Sequence, residues 1–162
     1  MTKGEILQRS FVRFLLNKNF QNHEFQQIWT IFVQERPSGL NTEENFHFIY
    51  KFFKKSLVKE YFILDTSTVP HRYSSAYTKH QLMKENLAKE LRPSYESIYQ
   101  KVQTLKKAIK QKELEIEFLK EYSREFPKIQ FEIKSLIHEK EREYLGLESR
   151  MNALYAIIQV FK

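Results

Sequence analysis

From Ile98 onward the apolar residues of this chain return at alternating steps of four and three, and no other feature of the sequence limits its possible folds so narrowly. Ile98, Val102, Leu105, Ile109, Ile116 and Leu119 form one series, with Lys112 as its single polar interruption. After Pro127 the alternation resumes through Ile133, Ile137, Lys140, Tyr144, Leu147, Met151, Leu154, Ile158 and Phe161. A mean spacing of about 3.5 residues keeps one narrow stripe of a helix turned toward a partner helix, which is the seam of a coiled coil. Ser123 to Pro127 is short enough to reverse the chain, and proline suits the first turn of a returning helix.

Reversal there pairs the two series about a common centre. Leu119 meets Ile133, Ile116 meets Ile137, Ile109 meets Tyr144, Leu105 meets Leu147, Val102 meets Met151 and Ile98 meets Leu154. The same register sets Lys112 against Lys140, and two facing ammonium groups must turn outward to carboxylates such as Glu113, Glu139 or Glu143. The expectation for residues 94–162 is therefore an antiparallel coiled-coil hairpin. The alternative is one long helix, kinked at Pro127, pairing with a second chain. In either case Ile98, Val102, Leu105, Ile109, Leu147, Met151, Leu154 and Ile158 are the candidate dimer or partner interface.

The front of the chain has a different character. Of its 14 Phe, 10 lie within the first 62 residues, and that many rings need a compact core to cover them. With 3 Gly and 4 Pro in 162 residues there are few tight turns, so the fold class is mainly α. A first helix is expected over about 4–17, with Ile6, Leu7, Phe11, Phe14 and Leu15 on one face. A second is expected over 23–35, with Phe25, Ile28, Trp29 and Phe32 inside, stopped by Arg36-Pro37-Ser38-Gly39. Asn41 or Thr42 caps a third, whose buried stripe is Phe46, Ile49, Tyr50, Phe53 and Leu57, with Glu44 or Asn45 placed to return the capping bond. Tyr61 to Leu64 and Arg72 to Tyr77 have the β-branched and aromatic character of a short hairpin. A linking helix is expected over 79–93, with Leu82, Leu87 and Leu91 on one side, ended or kinked by Pro93.

Three helices followed by a hairpin, over residues 1–78, is the element order of a winged helix. The layout resembles that of bacterial regulators of the PadR or MarR type, in which helices outside the winged helix build a dimer. The resemblance implies that the third helix enters the DNA major groove, and it implies a dimeric transcriptional regulator. On that helix Lys51, Lys54, Lys55 and Lys59 lie to one side beside His47, while His71 and Arg72 stand at the expected wing, where a basic side chain meets phosphate or the minor groove. Glu43 and Glu44 oppose this assignment, because acids at the helix start would face phosphates, although they also suit a helix N-terminus. The net charge of +7 is compatible with a polyanion partner but does not require one.

A rival assignment is a structural or adaptor subunit that binds helical proteins through its rods. It resembles small subunits of eukaryotic chromosome-associated assemblies that join a globular head to helices. Enzymatic chemistry finds no support in the motifs, which include no phosphate loop, no nucleophile elbow and no paired-carboxylate constellation. His23, His47, His71, His80 and His138 lack metal-ligand spacing, and the chain has no Cys, so neither a metal nor another cofactor is expected. Lys106, Lys107, Lys110 and Lys112, followed by Glu113, Glu115 and Glu117, form the charged face of a helix. Without a secretory leader or a long apolar run, an intracellular protein, cytoplasmic or nuclear, is expected.

Overall fold

The computed structural model describes residues 1–36 and 39–161, which form two compact units, Met1–Ala88 and Lys89–Lys162. The chain is mainly helical, with one small three-stranded sheet and a long C-terminal helical pair. Pro37 and Ser38, in the stop expected after the second helix, lie outside the described residues.

The first unit is built around phenylalanine. Helix α1 (Lys3–Leu16) opens with a reciprocal cap in which the Glu5 N–H donates to the Thr2 hydroxyl and the Thr2 N–H donates to the Glu5 carboxylate. It buries Leu7, Phe11, Val12, Phe14 and Leu15. Helix α2 (Phe25–Gln34) buries Phe25, Ile28, Trp29 and Phe32 against them, and the Trp29 indole N–H donates to Asn41 at 3.1 Å. Phe11 sits at the centre, its ring 5.2 Å from that of Phe32 and nearly perpendicular to it. Edge-to-face packing of this kind adds to the effect of simple burial. The exposed carbonyls at the end of α1 are covered by the Tyr77 hydroxyl, which donates to Leu15 and Lys18.

The structure adds a strand where a helix was expected. His23–Glu24 is not the start of α2 but a two-residue strand, β1, that pairs antiparallel with β3 (Arg72–Ser75). Strand β2 (Phe62–Asp65) pairs with the other edge of β3, so the sheet order is β1-β3-β2. Asn22, at φ 52°, turns the chain into β1, a conformation asparagine tolerates better than most residues. Hydrogen bonds from Ser75 N–H to Phe20 and from Phe20 N–H to the Ser75 hydroxyl extend the seam. Only the partner strand, some 50 residues away, makes this segment extended.

The linking helix is also shorter than expected. Helix α5 (Lys79–Met83) ends after five residues, and single 3₁₀ turns follow at Lys84–Asn86 and Lys89–Leu91. Leu82 is fully buried, Leu87 is half-buried and Leu91 is exposed, so the expected apolar side does not persist. Pro93 does not close this helix. It stands in the first turn of α6 (Arg92–Glu125), where a missing N–H costs no helical bond.

In the second unit, Phe126 leaves helical geometry, Pro127–Ile129 makes one 3₁₀ turn, and α7 (Gln130–Val160) follows. Helices α6 and α7 pack along their length. Tyr95 near the start of α6 touches Phe161 just beyond the end of α7, with ring centroids 5.7 Å apart, while Lys112 reaches Glu143 at 2.7 Å. Val102, Ile109, Ile133 and Ile137 are buried. Ile98, Leu105, Ile116, Leu119, Tyr144, Leu147, Met151, Leu154 and Ile158 are half-buried.

Candidate functional site

The expected basic face belongs to one helix with an internal irregularity. Helix α3 (Glu43–Phe52) starts at Thr42, whose hydroxyl accepts from the Asn45 N–H, and Asn45 turns its own amide to the Leu40 carbonyl. It runs into a π-helical turn, Phe53–Leu57, and continues as α4 (Val58–Tyr61). Within that turn the Val58 N–H donates back five residues to Phe53.

The spacing of the core residues explains the wide turn. Ile49, Phe53, Leu57 and Tyr61 recur every four residues, and four residues of regular α-helix overshoot a full turn by about 40°. Over three such steps Tyr61 would swing roughly 120° off the core. A turn closed by a five-residue bond holds more residues and takes up that drift. All four side chains are accordingly buried, Phe53 with its ring 4.9 Å from those of Phe25, Phe62 and Tyr73. The Tyr61 hydroxyl donates to Glu85 at 2.6 Å, and burial, followed by that carboxylate, drives its pKa well above the ordinary phenol range.

Locking one side of the helix inward sets the other side outward. Lys51, Lys54, Lys55 and Lys59 are all exposed. Among the described residues none of these four pairs with a carboxylate, and Lys54 lies over the Tyr50 ring, 5.3 Å from its centroid. His47 is exposed on the same helix and sits 3.5 Å from Glu43. Glu44 lines a separate cavity of about 390 Å³ with Lys3, Ile6 and Phe48.

The two expected wing residues part company. His71 is exposed in the loop between β2 and β3 and borders a cavity of about 220 Å³ with Phe46, Tyr50 and Tyr73, which brings it to the edge of the lysine-bearing helix. Burial, with the nearby Tyr50 hydroxyl, pushes the Tyr73 pKa up. Arg72 lies inside β3, where its guanidinium stands 3.8 Å from Glu24 and donates to the Asn22 carbonyl. Its charge is therefore directed to β1, and the loop tip itself carries Val69, almost wholly exposed. The π-helical turn and the aromatic cavity beside His71 were absent from the sequence-based expectation. The four-residue recurrence of Ile49, Phe53, Leu57 and Tyr61 was the available signal for the turn.

The eight candidate interface residues all lie on α6 or α7 within the same chain. Val102 and Ile109 are closed off, while the other six remain half-open. Lys112 finds Glu143 at 2.7 Å and Glu115 at 3.3 Å, and Lys140 finds Glu115 at 3.4 Å and Glu143 at 3.8 Å. Of the three acids expected to receive them, Glu143 does so. Glu113 instead accepts from the Tyr144 hydroxyl, which Glu148 also holds. Hydrogen bonds to Lys112 hold the Glu115 and Glu143 carboxyls below the ordinary range, and those to Glu148 and Glu113 push Tyr144 up to about 12.

Among the described residues no three His, Asp or Glu side chains cluster in a way that could hold a metal ion, and no helix is long and apolar enough to cross a membrane. No protein-family model, curated protein or solved structure matches the chain.

Proposed function

We propose that the front unit binds duplex DNA as a winged helix and serves one subunit of a dimeric transcriptional regulator, the α6–α7 pair acting as an antiparallel coiled coil. The observation that carries this proposal is the row Lys51, Lys54, Lys55 and Lys59, four cations without acid partners among the described residues, on the outer face of a helix whose inner face is anchored at Ile49, Phe53, Leu57 and Tyr61. A rigid helix with a free basic face offers ammonium groups to phosphates without first breaking internal ion pairs. His71, beside Tyr50, extends that face toward the β2–β3 loop. The antiparallel arrangement is supported by Tyr95 meeting Phe161 and Lys112 meeting Glu143, pairs that draw the outer and middle parts of the two helices together in reverse order.

Titration of a labelled duplex by fluorescence anisotropy tests the proposal. Four phosphate contacts give a salt slope of about −3.6, a loss of roughly 150-fold in affinity from about 50 to about 200 mM salt. Lys51→Glu, Lys54→Glu and Lys55→Glu together weaken binding to all sequences and flatten the slope by roughly one per lysine. The same three reversals at Lys106, Lys107 and Lys110 change net charge equally and leave the slope in place. Absence of binding at the lowest salt, or equal losses from both triple variants, overturns the proposal.

An adaptor role is the second reading, favoured by apolar side chains that α6 and α7 leave exposed, among them Leu114, Phe118 and Phe131.

A further inference from the structure

The end of the helical pair nearest Pro127 carries a patch that nothing in its own unit covers. Phe118, Tyr122 and Phe126 follow one another at four-residue steps, 50%, 46% and 51% exposed, with the Tyr122 and Phe126 rings 6.2 Å apart. Ile129 in the turn and Leu136 on α7 are exposed to a similar degree.

These side chains share a flank. Tyr122 lies three residues beyond the seam residue Leu119 and Leu136 three beyond Ile133. Phe118 precedes Tyr122 by about one helical turn, and the Phe126 ring, just past the helix end, packs beside that of Tyr122. In two helices of opposite direction an equal offset from seam residues that face each other, as Leu119 faces Ile133 and Lys112 faces Lys140, leads to the same side of the pair. The ion pairs display that rule directly, since Glu115 and Glu143, each three residues beyond a seam lysine, both reach Lys112 and Lys140. The patch therefore continues, toward the turn, the flank that the Lys112–Glu115–Lys140–Glu143 group occupies.

We propose that this flank joins two copies of the chain, patch to patch across a twofold axis. Three half-exposed rings present about 300 Å², and the two aliphatic side chains bring the apolar surface to roughly 450 Å² per copy. Paired, the copies cover about 900 Å² of apolar surface. With the polar share usual in interfaces this means on the order of 1,400–1,600 Å² in total, within the range of stable complexes. Contact between identical patches also requires a rim of both charge signs. Glu121, Arg124, Glu125 and Lys128 are all exposed around the turn and supply it. The inference names a surface for the dimer proposed above, and it needs no DNA.

Light scattering coupled to gel filtration, over a concentration series, reads the outcome. The 19.7 kDa chain runs at twice its mass, and the Phe118→Glu, Phe126→Glu variant runs at 19.7 kDa with an unchanged helical circular dichroism spectrum, because both rings are half in solvent already. In a chain without cysteine, Tyr122→Cys forms a disulfide-linked dimer on mild oxidation and Gln159→Cys does not. The triple lysine variant of the DNA test stays dimeric, which separates failure of DNA binding from failure of this surface. A wild-type monomer at every concentration overturns the inference, including one that takes up a different helical protein through the same rings. So does a dimer that survives Phe118→Glu, Phe126→Glu, or crosslinking at Tyr122→Cys no more efficient than at Gln159→Cys.

Discussion

Phe53→Ala isolates the packing on which the basic face depends. Phe53 is fully buried in the π-helical turn, and its ring meets those of Phe11, Phe25, Phe62 and Tyr73. Truncating a buried Phe to Ala costs about 3–5 kcal/mol, depending on how far the surroundings collapse. Four neighbouring rings on α1, α2, β2 and β3 cannot all move into one gap, so a value near the upper end, about 4–5 kcal/mol, is expected. Against a typical domain stability of roughly 5–15 kcal/mol, that removes much of the first unit's margin. Trp29, the only tryptophan, is buried in the same core, so its fluorescence follows this unit. With a urea slope of about 1.5 kcal/mol/M, the midpoint falls by about 3 M. Ser56→Ala, in the same turn but exposed, changes the stability by no more than about 0.5 kcal/mol, a midpoint shift of about 0.3 M. A Phe53→Ala loss below about 1 kcal/mol would refute the claim that core packing holds the wide turn and, with it, the outward lysines.

The helical pair has its own pH signature. Glu115 and Glu143 titrate below their ordinary value of 4.5 in the folded state, so the stability they contribute is complete above that pH and is lost as pH falls through the lowered values. Thermal unfolding followed by circular dichroism should show a melting temperature that drops in acid, and Lys112→Gln should both lower the neutral-pH value and make the acid dependence shallower. At the other extreme, Tyr144 is raised from 10.0 to about 12, so its contribution is present below pH 10 and fades as pH rises toward 12. Tyr144→Phe should flatten the alkaline limb of the same melting curve. An unchanged limb would show that the hydroxyl's bonds to Glu113 and Glu148 do not hold in solution.

Local chemistry made much of the molecule legible before any coordinates. The alternation from Ile98 to Phe161, the turn at Pro127, the cap at Thr42 and the aromatic stripes of α1 to α3 are short-range patterns, and a helix needs only its own neighbours to form. Lys51, Lys54, Lys55 and Lys59 could be placed on one face for the same reason. What the sequence left open depended on partners far along the chain. His23–Glu24 is a strand because β3 lies beside it, and Arg72 spends its charge on Glu24 and Asn22 because that pairing draws them together. The turn at Phe53–Leu57 widens because the core requires Ile49, Phe53, Leu57 and Tyr61 on one side at once, a demand that no local propensity expresses. Glu115 and Glu143, rather than Glu139, receive the seam lysines because only the packed pair sets their distances. Short-range periodicity determined which segments are helices and which faces are apolar; tertiary packing decided where the chain departs from those periods, since the free energy of closing a shared core exceeds the small cost of one irregular turn or one short strand.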